Sequence, residues 1–323
     1  MIGKYNVEIS DNRIHYNFDI KRNITVIQGD SGTGKTSLIR MIADYERLGR
    51  GSGIILRCEK RCVVLNSADW KAFIQNTKDS IIFVDENQPY ISSKEFADAL
   101  QYSDNYFVLI YRDSLPMLAY SIEEIYGIRE DKKYAGLKKT YNEFYKIYNL
   151  NSVSRFTPDV VVTEDSNSGY DFFKEVFSGK CLSAEGKSKI TEKCHELCDE
   201  NNNILAIVDG AAFGSDIQAF LRRHRQRVDR CLLYAPESFE YIILKSGILD
   251  ADRDMLDQTY DYADSRSYSS WEQFYTDYLI KISSESSVYK YTKKKLAKAY
   301  LTEGSIKRII AVLPDIIDST AKS

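Results

Sequence analysis

Short apolar runs alternate with segments of helical periodicity over the first third of the chain. Residues 5–18 alternate apolar and polar positions around a polar turn, which predicts a β-hairpin. Later apolar runs predict buried strands, and apolar residues three or four apart predict helices. The predicted strands are 23–28, 53–56, 62–65, 81–84 and 106–111, and the predicted helices are 37–45, 67–75 and 93–101. This alternation favours a parallel sheet with helices on both faces.

The pattern becomes mixed after this region and then begins again. Residues 115–150 have no clear period, except that 117–126 is predicted to be helical. A second series has predicted strands at 160–163, 204–208 and 231–234 and predicted helices at 170–177, 188–198 and 216–223. The fold class is therefore predicted as α/β, with one domain at 1–150, a second, smaller one at 151–250 and a helical C-terminal extension at 251–323.

Composition and charge narrow the class of protein. Hydrophobic residues make up 43% and charged residues 28% of the 323, as in folded globular proteins, and the formal net charge is −3. A wholly basic nucleic-acid-binding protein is therefore not expected, although a local basic patch is compatible with this charge. The sequence has no apolar segment of about 20 residues and no N-terminal signal pattern. We expect a cytoplasmic protein with no membrane partner and with reduced cysteines.

Two cysteine pairs have C-x3-C spacing. They are Cys58 with Cys62, and Cys194 with Cys198, the second pair having His195 between its members. Either pair could contribute to a metal site. However, Cys194 and Cys198 share one face of a predicted helix with Ile190, and buried cysteine packs as a small hydrophobe. The sequence favours packing over a metal at these positions.

The segment from Gly29 to Thr36 reads Gly-Asp-Ser-Gly-Thr-Gly-Lys-Thr and lies between a predicted strand and a predicted helix. It matches G-x-x-x-x-G-K-[ST], whose glycines let backbone N–H groups surround phosphates. Lys35 is expected to bridge the β- and γ-phosphates and Thr36 to bind Mg²⁺. The segment predicts a site for ATP, or GTP, with Mg²⁺. Its predicted binding residues are Gly29, Asp30, Ser31, Gly32, Thr33, Gly34, Lys35, Thr36 and Ser37.

Acidic residues follow the apolar strand 81–84. Asp85 is expected to hold Mg²⁺, usually through water, and Glu86 to act as general base toward the attacking water. The alternative is an acidic turn after a core strand. Arg112, after the next strand, could stabilise transition-state charge or form a surface ion pair.

These motifs resemble the additional-strand, catalytic-glutamate division of P-loop NTPases, which includes AAA and ABC ATPases. The resemblance covers residues 14–112 and implies ATPase activity, with Lys35, Glu86 and Arg112 as catalytic residues. Because such proteins often complete their sites across subunits, it also implies a homo-oligomer. No LSGGQ-like signature lies between Thr36 and Asp85, so an ABC-style dimer is not expected.

Four carboxylates follow predicted strands of the second domain: Glu164, Asp209, Glu237 and Glu240. The carboxyl ends of strands in an α/β sheet converge on one crevice. Clustered carboxylates favour a hard cation, Mg²⁺ or Mn²⁺. Glu237 and Glu240 are predicted to share a helix face if Pro236 starts a helix.

This order of motifs resembles the Toprim fold. Asp209 to Gly214 is similar to D-x-D-x-x-G, with Ala211 in place of the second aspartate, and 236–240 resembles an E-x-x-E stretch. Nucleases of the overcoming-lysogenization-defect (OLD) family couple a P-loop ATPase to a Toprim domain in the same order. The resemblance implies a nuclease of the kind found in phage defence. Ala211 counts against cleavage, and the alternative is an NTP-dependent switch whose second domain only binds a partner.

A basic stretch suggests DNA or RNA as that partner. Five arginines crowd into residues 222–230, namely Arg222, Arg223, Arg225, Arg227 and Arg230. Such a run attracts phosphate backbones without sequence specificity, but it could also be a solvated helix face. Lys293 to Lys295 form a smaller basic run with the same two interpretations.

Overall fold

A computed structural model describes residues 1–29, 32–134, 136–148, 156–200, 202–227, 229–315 and 317. The chain forms two compact units. Unit 1 is Met1–Tyr148 with Gln258–Ser270, and unit 2 is Asn149–Asp257 with Trp271–Ser323. The boundary expected near residue 150 falls on residues outside the described ranges. The segment 251–323, expected to be a separate extension, is divided between the two units.

Unit 1 is built on a nine-stranded mixed sheet, with the strand order β4-β1-β2-β9-β8-β3-β7-β6-β5. The strands are β1 (Tyr5–Ser10), β2 (Ile14–Ile20), β3 (Ile24–Ile27), β4 (Ile55–Arg57), β5 (Arg61–Val64), β6 (Ser80–Val84), β7 (Tyr106–Ile110), β8 (Ile125–Glu130) and β9 (Thr140–Lys146). Strands β8, β3, β7, β6 and β5 are parallel neighbours. The hairpin expected at residues 5–18 is present, with β1 antiparallel to β2. The sheet that was expected to be parallel is mixed, because β1 also pairs antiparallel with β4, and β8 pairs antiparallel with β9. The short link between β1 and β2 permits only antiparallel pairing.

The helix expected at 117–126 is also wrong. A short 3₁₀ turn at Ile122–Glu124 leads directly into β8. Buried Ile122, Ile125 and Ile128 are three residues apart, which mimics a helical period. Pairing of β8 with β3 overrides that local pattern.

Three helices accompany this sheet: α1 (Lys35–Leu48), α2 (Trp70–Asn76) and α3 (Lys94–Leu100). The buried face of α1, which includes Leu38 and Ile42, belongs to the same core cluster as Phe83 on β6 and Val108 on β7. Residues that point to the other face of the sheet are buried as well, namely Ile82, Val84, Phe107 and Leu109. Both faces of the central strands are therefore covered.

Unit 2 contains a four-stranded sheet in which every pair of neighbours is parallel, in the order β11-β10-β12-β13. Its strands are β10 (Val160–Thr163), β11 (Lys180–Ser183), β12 (Ile204–Ile207) and β13 (Cys231–Tyr234). The helices of this unit are α4 (Ser168–Val176), α5 (Ile190–Asp199), α6 (Ile217–His224), α7 (Phe239–Lys245), α8 (Arg253–Asp257), α9 (Trp271–Ser283) and α10 (Glu303–Ile310). All the predicted elements of the second series are present, and β11 is an addition. The α/β class is therefore confirmed for both units.

Within the described ranges, none of the helices combines the length and the apolar character that a membrane crossing requires.

Candidate functional sites

The glycine-rich loop of unit 1 connects β3 to α1. Gly29, Gly32 and Gly34 have φ angles of 127°, 86° and 95°, in the left-handed region. Residues with a Cβ adopt this region at a cost of roughly 1–2 kcal/mol, so the backbone itself requires glycine here. Of the predicted binding residues, Asp30 and Ser31 lie outside the described ranges.

The side chain of Lys35 lies inside this loop. It is 5% exposed, and its Nζ donates hydrogen bonds to the Gly29 carbonyl at 2.6 Å and to Thr33 Oγ1 at 3.0 Å. Thr36 and Ser37 occupy the first turn of α1, where Thr36 is exposed. The loop thus brings an ammonium group, a hydroxyl group and the positive end of a helix dipole together.

Tyr16 supports the loop from β2. Its hydroxyl donates to the Gly34 carbonyl at 2.8 Å. A Cβ built on Gly34 would lie 2.8 Å from the hydroxyl oxygen of Tyr16. Burial raises the pKa of Tyr16 to about 12, so this phenol remains a hydrogen-bond donor at neutral pH. The sequence does not predict this role of Tyr16, because the contact joins positions 18 residues apart.

Asp85 and Glu86 follow β6, and Arg112 follows β7. The main-chain N–H of Glu86 donates to Asp85 Oδ1 at 2.9 Å. Arg112 donates to both carboxylate oxygens of Glu86, from Nε at 2.7 Å and from Nη2 at 2.8 Å. The structure therefore joins two of the predicted catalytic residues in a bidentate ion pair, and the guanidinium holds the carboxylate in place.

The C-terminal ends of β10 and β12 border an acidic cleft in unit 2. It has an empty volume of about 460 Å³, including space open to solvent, and its lining includes Glu164, Asp209, Glu240 and Lys293. The N–H of Asp209 lies 3.4 Å from Glu164 Oε2. Three of the four predicted acidic residues therefore meet in one place.

Glu237 is the fourth, and the condition for it to share a helix face with Glu240 is not met. Pro236 does not start a helix, since α7 begins at Phe239. Ser238 is the N-cap and accepts a hydrogen bond from the N–H of Tyr241 at 3.2 Å, which fixes the helix start after Glu237. Glu237 and Glu240 therefore do not share a helix face.

Side chains from distant segments complete the acidic cleft. Glu272, at the start of α9, forms an ion pair with Lys293. Tyr291 donates to Glu240 Oε1 at 2.7 Å, and its hydroxyl lies 2.6 Å from Ser168 Oγ. The sequence predicts neither Glu272 nor Tyr291 at this cleft, and it suggests only a basic run for Lys293. No local spacing marks these residues, since they reach the cleft only through the tertiary fold.

The electrostatics of the cleft favour proton or cation binding. Withdrawal from water raises the pKa of Glu164 to about 7. The pKa of Asp209 is raised by the same withdrawal and by the charges of Glu272, Glu240 and Glu164. Although burial opposes its charge, Lys293 has a raised pKa because of Glu272. Lys293 is thus a cation held among carboxylates.

The basic stretch of α6 and the following loop is largely exposed. Arg222, Arg223, Arg225 and Arg230 are all exposed. Arg223 forms an ion pair with Glu192 of α5 at 3.6 Å. His224, between them, is instead buried. These arginines are accessible, which suits both a solvated surface and a phosphate-binding surface.

The two cysteine pairs differ in their surroundings. Interaction with the neighbouring Cys62 thiol lowers the pKa of Cys58 to about 7. Cys194 and Cys198 are buried on α5, and Cys198 lies near His224 and Cys231.

Comparison with models of protein families gives no match to this chain. A search of curated proteins gives no significant match either. Any functional assignment therefore rests on the geometry and chemistry of the residues described above.

Proposed function

We propose that unit 1 binds a nucleoside triphosphate, ATP or GTP, with Mg²⁺ and hydrolyses it. The observation that carries this proposal is the loop between β3 and α1. Three glycines with positive φ angles precede a 14-residue helix, and the Lys35 ammonium at the start of that helix donates to the Gly29 carbonyl. Such loops present backbone N–H groups, a lysine and a helix dipole to one anion.

The residues present suit a bound nucleotide. A Cβ built on Gly32 would meet no atom within 4 Å, so this part of the loop borders open space. Lys35 Nζ would exchange its bonds to Gly29 and Thr33 for phosphate oxygens. The hydroxyl of Thr36 and the carboxylate of Asp85 are the oxygen ligands that Mg²⁺ prefers. Mg²⁺, when bound, would neutralise phosphate charge.

The order of the strands supports the same proposal. Strand β7 lies between β3, which precedes the loop, and β6, which precedes Asp85 and Glu86. An inserted strand of this kind accords with the additional-strand division of P-loop NTPases. In this proposal Glu86 accepts the proton of the attacking water. The Arg112 guanidinium, now paired with Glu86, would turn to the γ-phosphate and release this base.

Phosphate release tests this activity directly. The chain is incubated with ATP or with GTP, in the presence of Mg²⁺ or of EDTA, and with or without DNA. We expect turnover that requires Mg²⁺. Absence of phosphate release from both nucleotides under every condition would contradict the proposed hydrolysis.

We also propose that the acidic cleft of unit 2 is a Toprim-like site that binds Mg²⁺ or Mn²⁺ and acts on nucleic acid. Glu164, Asp209 and Glu240 supply hard oxygen ligands. The exposed arginines of residues 222–230 precede the N-terminal end of β13, so they would contact a phosphate backbone away from the cleft. Ala211 is buried, and its N–H donates to the Glu237 carbonyl at 3.2 Å. The cation would therefore be held without a carboxylate at position 211.

The effect of Mn²⁺ on thermal stability at two pH values tests cation binding separately from cleavage. Glu164 has a pKa of about 7 instead of 4.5. The folded state binds this proton more tightly than the unfolded state does. The contribution of this proton to the free energy of unfolding is therefore complete below pH 4.5 and is lost as the pH rises through 7. The loss is at most about 3 kcal/mol in unfolding free energy. We expect millimolar Mn²⁺ to raise Tm more at pH 8 than at pH 5, because protons compete with the cation.

The variants for this measurement are Asp209→Asn, in the cleft, and Asp277→Asn, an exposed position on α9. The first should abolish the Tm increase caused by Mn²⁺ and the second should retain it. An equal increase in both variants would show that Mn²⁺ binds outside the cleft.

Nicking of supercoiled DNA distinguishes a nuclease from a switch. A nuclease should nick DNA with Mg²⁺ or Mn²⁺, and Asp209→Ala should abolish the nicking. Binding of DNA that depends on ATP but gives no nicks would favour the alternative, an NTP-dependent switch with a binding domain.

A further inference from the structure

A cluster of soft metal ligands lies in unit 2, separate from the acidic cleft. It consists of Cys198 near the end of α5, His224 at the end of α6 and Cys231 at the start of β13, and we call it the thiol–imidazole cluster. One ligand atom from each residue lies within 4.8 Å of the others, and all three residues are buried. The exposed fractions of their surfaces are 5%, 2% and 3%.

The imidazole of His224 is prepared for metal binding. Its Nδ1 lies 2.9 Å from the Phe220 carbonyl, which can only accept a hydrogen bond. Nδ1 therefore carries the hydrogen, and Nε2 presents a lone pair. Nε2 is fully buried, and none of the described residues provides it with a hydrogen-bond partner. A histidine that ligates a metal typically donates its other N–H to a carbonyl in this way, and an unpartnered buried nitrogen is otherwise unfavourable.

Cys194 is placed to be the fourth ligand. It lies one helical turn before Cys198 on α5 and is completely buried. Its thiol lies close to that of Cys231. The positive charge of Arg227 acts on the Cys198 thiol, and it would offset the negative charge of the thiolates around a divalent ion.

We propose that Cys198, Cys231, His224 and Cys194 bind one Zn²⁺ ion as a structural site. Thiolate and imidazole ligands in a closed, buried set of four are typical of structural zinc. Each ligating thiol gives up its proton to solvent, and His224 binds as the neutral imidazole through Nε2. No redox change is involved.

The position of the thiol–imidazole cluster favours a structural role over a role in reactions at the acidic cleft. Cys231 begins β13, whereas the acidic cleft lies beyond the opposite, C-terminal ends of β10 and β12. The ion would join α5, α6 and β13, three separate elements of unit 2. Zinc would therefore stabilise unit 2 and take no part in reactions at the cleft.

Metal analysis of the full chain tests this proposal. The protein is purified without chelators or an affinity metal, dialysed, and its zinc measured by mass spectrometry. We expect about one Zn²⁺ per chain. Cys198→Ala and His224→Phe should lose it, the latter because phenylalanine keeps a ring against Phe220, 4.4 Å away between centroids, without a ligand nitrogen. Cys181→Ala on the edge strand β11 and Cys58→Ala in unit 1 should retain it.

Replacement of zinc by Co²⁺ in the wild-type chain gives a second readout that needs no variant. Tetrahedral coordination by thiolates should produce d–d bands and a sulfur-to-cobalt charge-transfer band. Wild-type protein without zinc, or zinc retained at the same level in His224→Phe, would overturn the proposal. An octahedral Co²⁺ spectrum without the charge-transfer band would also overturn it.

Discussion

Replacing Glu86 with glutamine should reduce ATP hydrolysis by about 10²–10⁴-fold, the range for loss of a general base. Glutamine keeps the shape of the side chain and an oxygen that can accept from Arg112, but it cannot take a proton from water. Nucleotide affinity should change little, because Lys35 and the loop supply the proposed phosphate contacts. Single-turnover phosphate release gives the rate, and titration with a fluorescent nucleotide gives the affinity.

The matched control for this variant is Glu95→Gln, an exposed position in the first turn of α3. It makes the same chemical change in the same unit and should leave turnover unaltered. A Glu86→Gln chain that hydrolyses ATP at the wild-type rate would exclude Glu86 as the base. The bidentate pair with Arg112 would then be a structural contact only.

Substitution of Gly34 by alanine should destabilise the loop by about 3 kcal/mol. The left-handed backbone contributes roughly 1–2 kcal/mol. The remainder comes from the new Cβ, which would lie 2.8 Å from the Tyr16 oxygen and disrupt the hydrogen bond to the Gly34 carbonyl. Tyr16 is fully buried, so its ring has little room to move. Urea denaturation measures the cost, and nucleotide affinity should fall with it.

Gly32→Ala is the matched control for this substitution. Gly32 also has a positive φ, 86°, but a Cβ there would meet no atom within 4 Å. This variant should show the backbone cost alone. Equal losses of stability in the two alanine variants would mean that Tyr16 does not restrain the loop.

The parts of unit 1 that follow from the sequence are those encoded locally. The strand before Gly29, the helix from Lys35 and the strand before Asp85 each have their own apolar period, and all three are present. The hairpin of β1 and β2 was expected from its alternation, but the antiparallel pairs of β1 with β4 and of β8 with β9 were not, because strand direction depends on connections and partners. The short 3₁₀ turn before β8 was not expected either, because apolar residues at helical spacing predicted a longer helix in this segment.

The sites of unit 2 show the same limit more clearly. Glu164, Asp209 and Glu240 could be predicted because each follows a strand of one parallel sheet. Glu272 and Lys293 could not, since only tertiary packing brings them there.

The thiol–imidazole cluster combines a local and a non-local part. The spacing of Cys194 and Cys198 was visible in the sequence, but the histidine between them is not the one in the cluster. His224 and Cys231 join Cys198 only through the packing of α6 and β13.

Direct titration with Mg²⁺ and a non-hydrolysable ATP analogue tests the central claim, that the loop around Lys35 holds nucleotide phosphates. Wild-type chain and the Lys35→Ala variant are compared by calorimetry with a Lys78→Ala variant. Lys78 is exposed and precedes β6, at the end of that strand opposite to Asp85. We predict saturable binding to the wild type and to Lys78→Ala, with affinity about 100-fold lower in Lys35→Ala because charge-assisted bonds to phosphate are lost. Equal affinity in all three chains, or no binding to the wild type, would contradict the assignment of this loop as a nucleotide site.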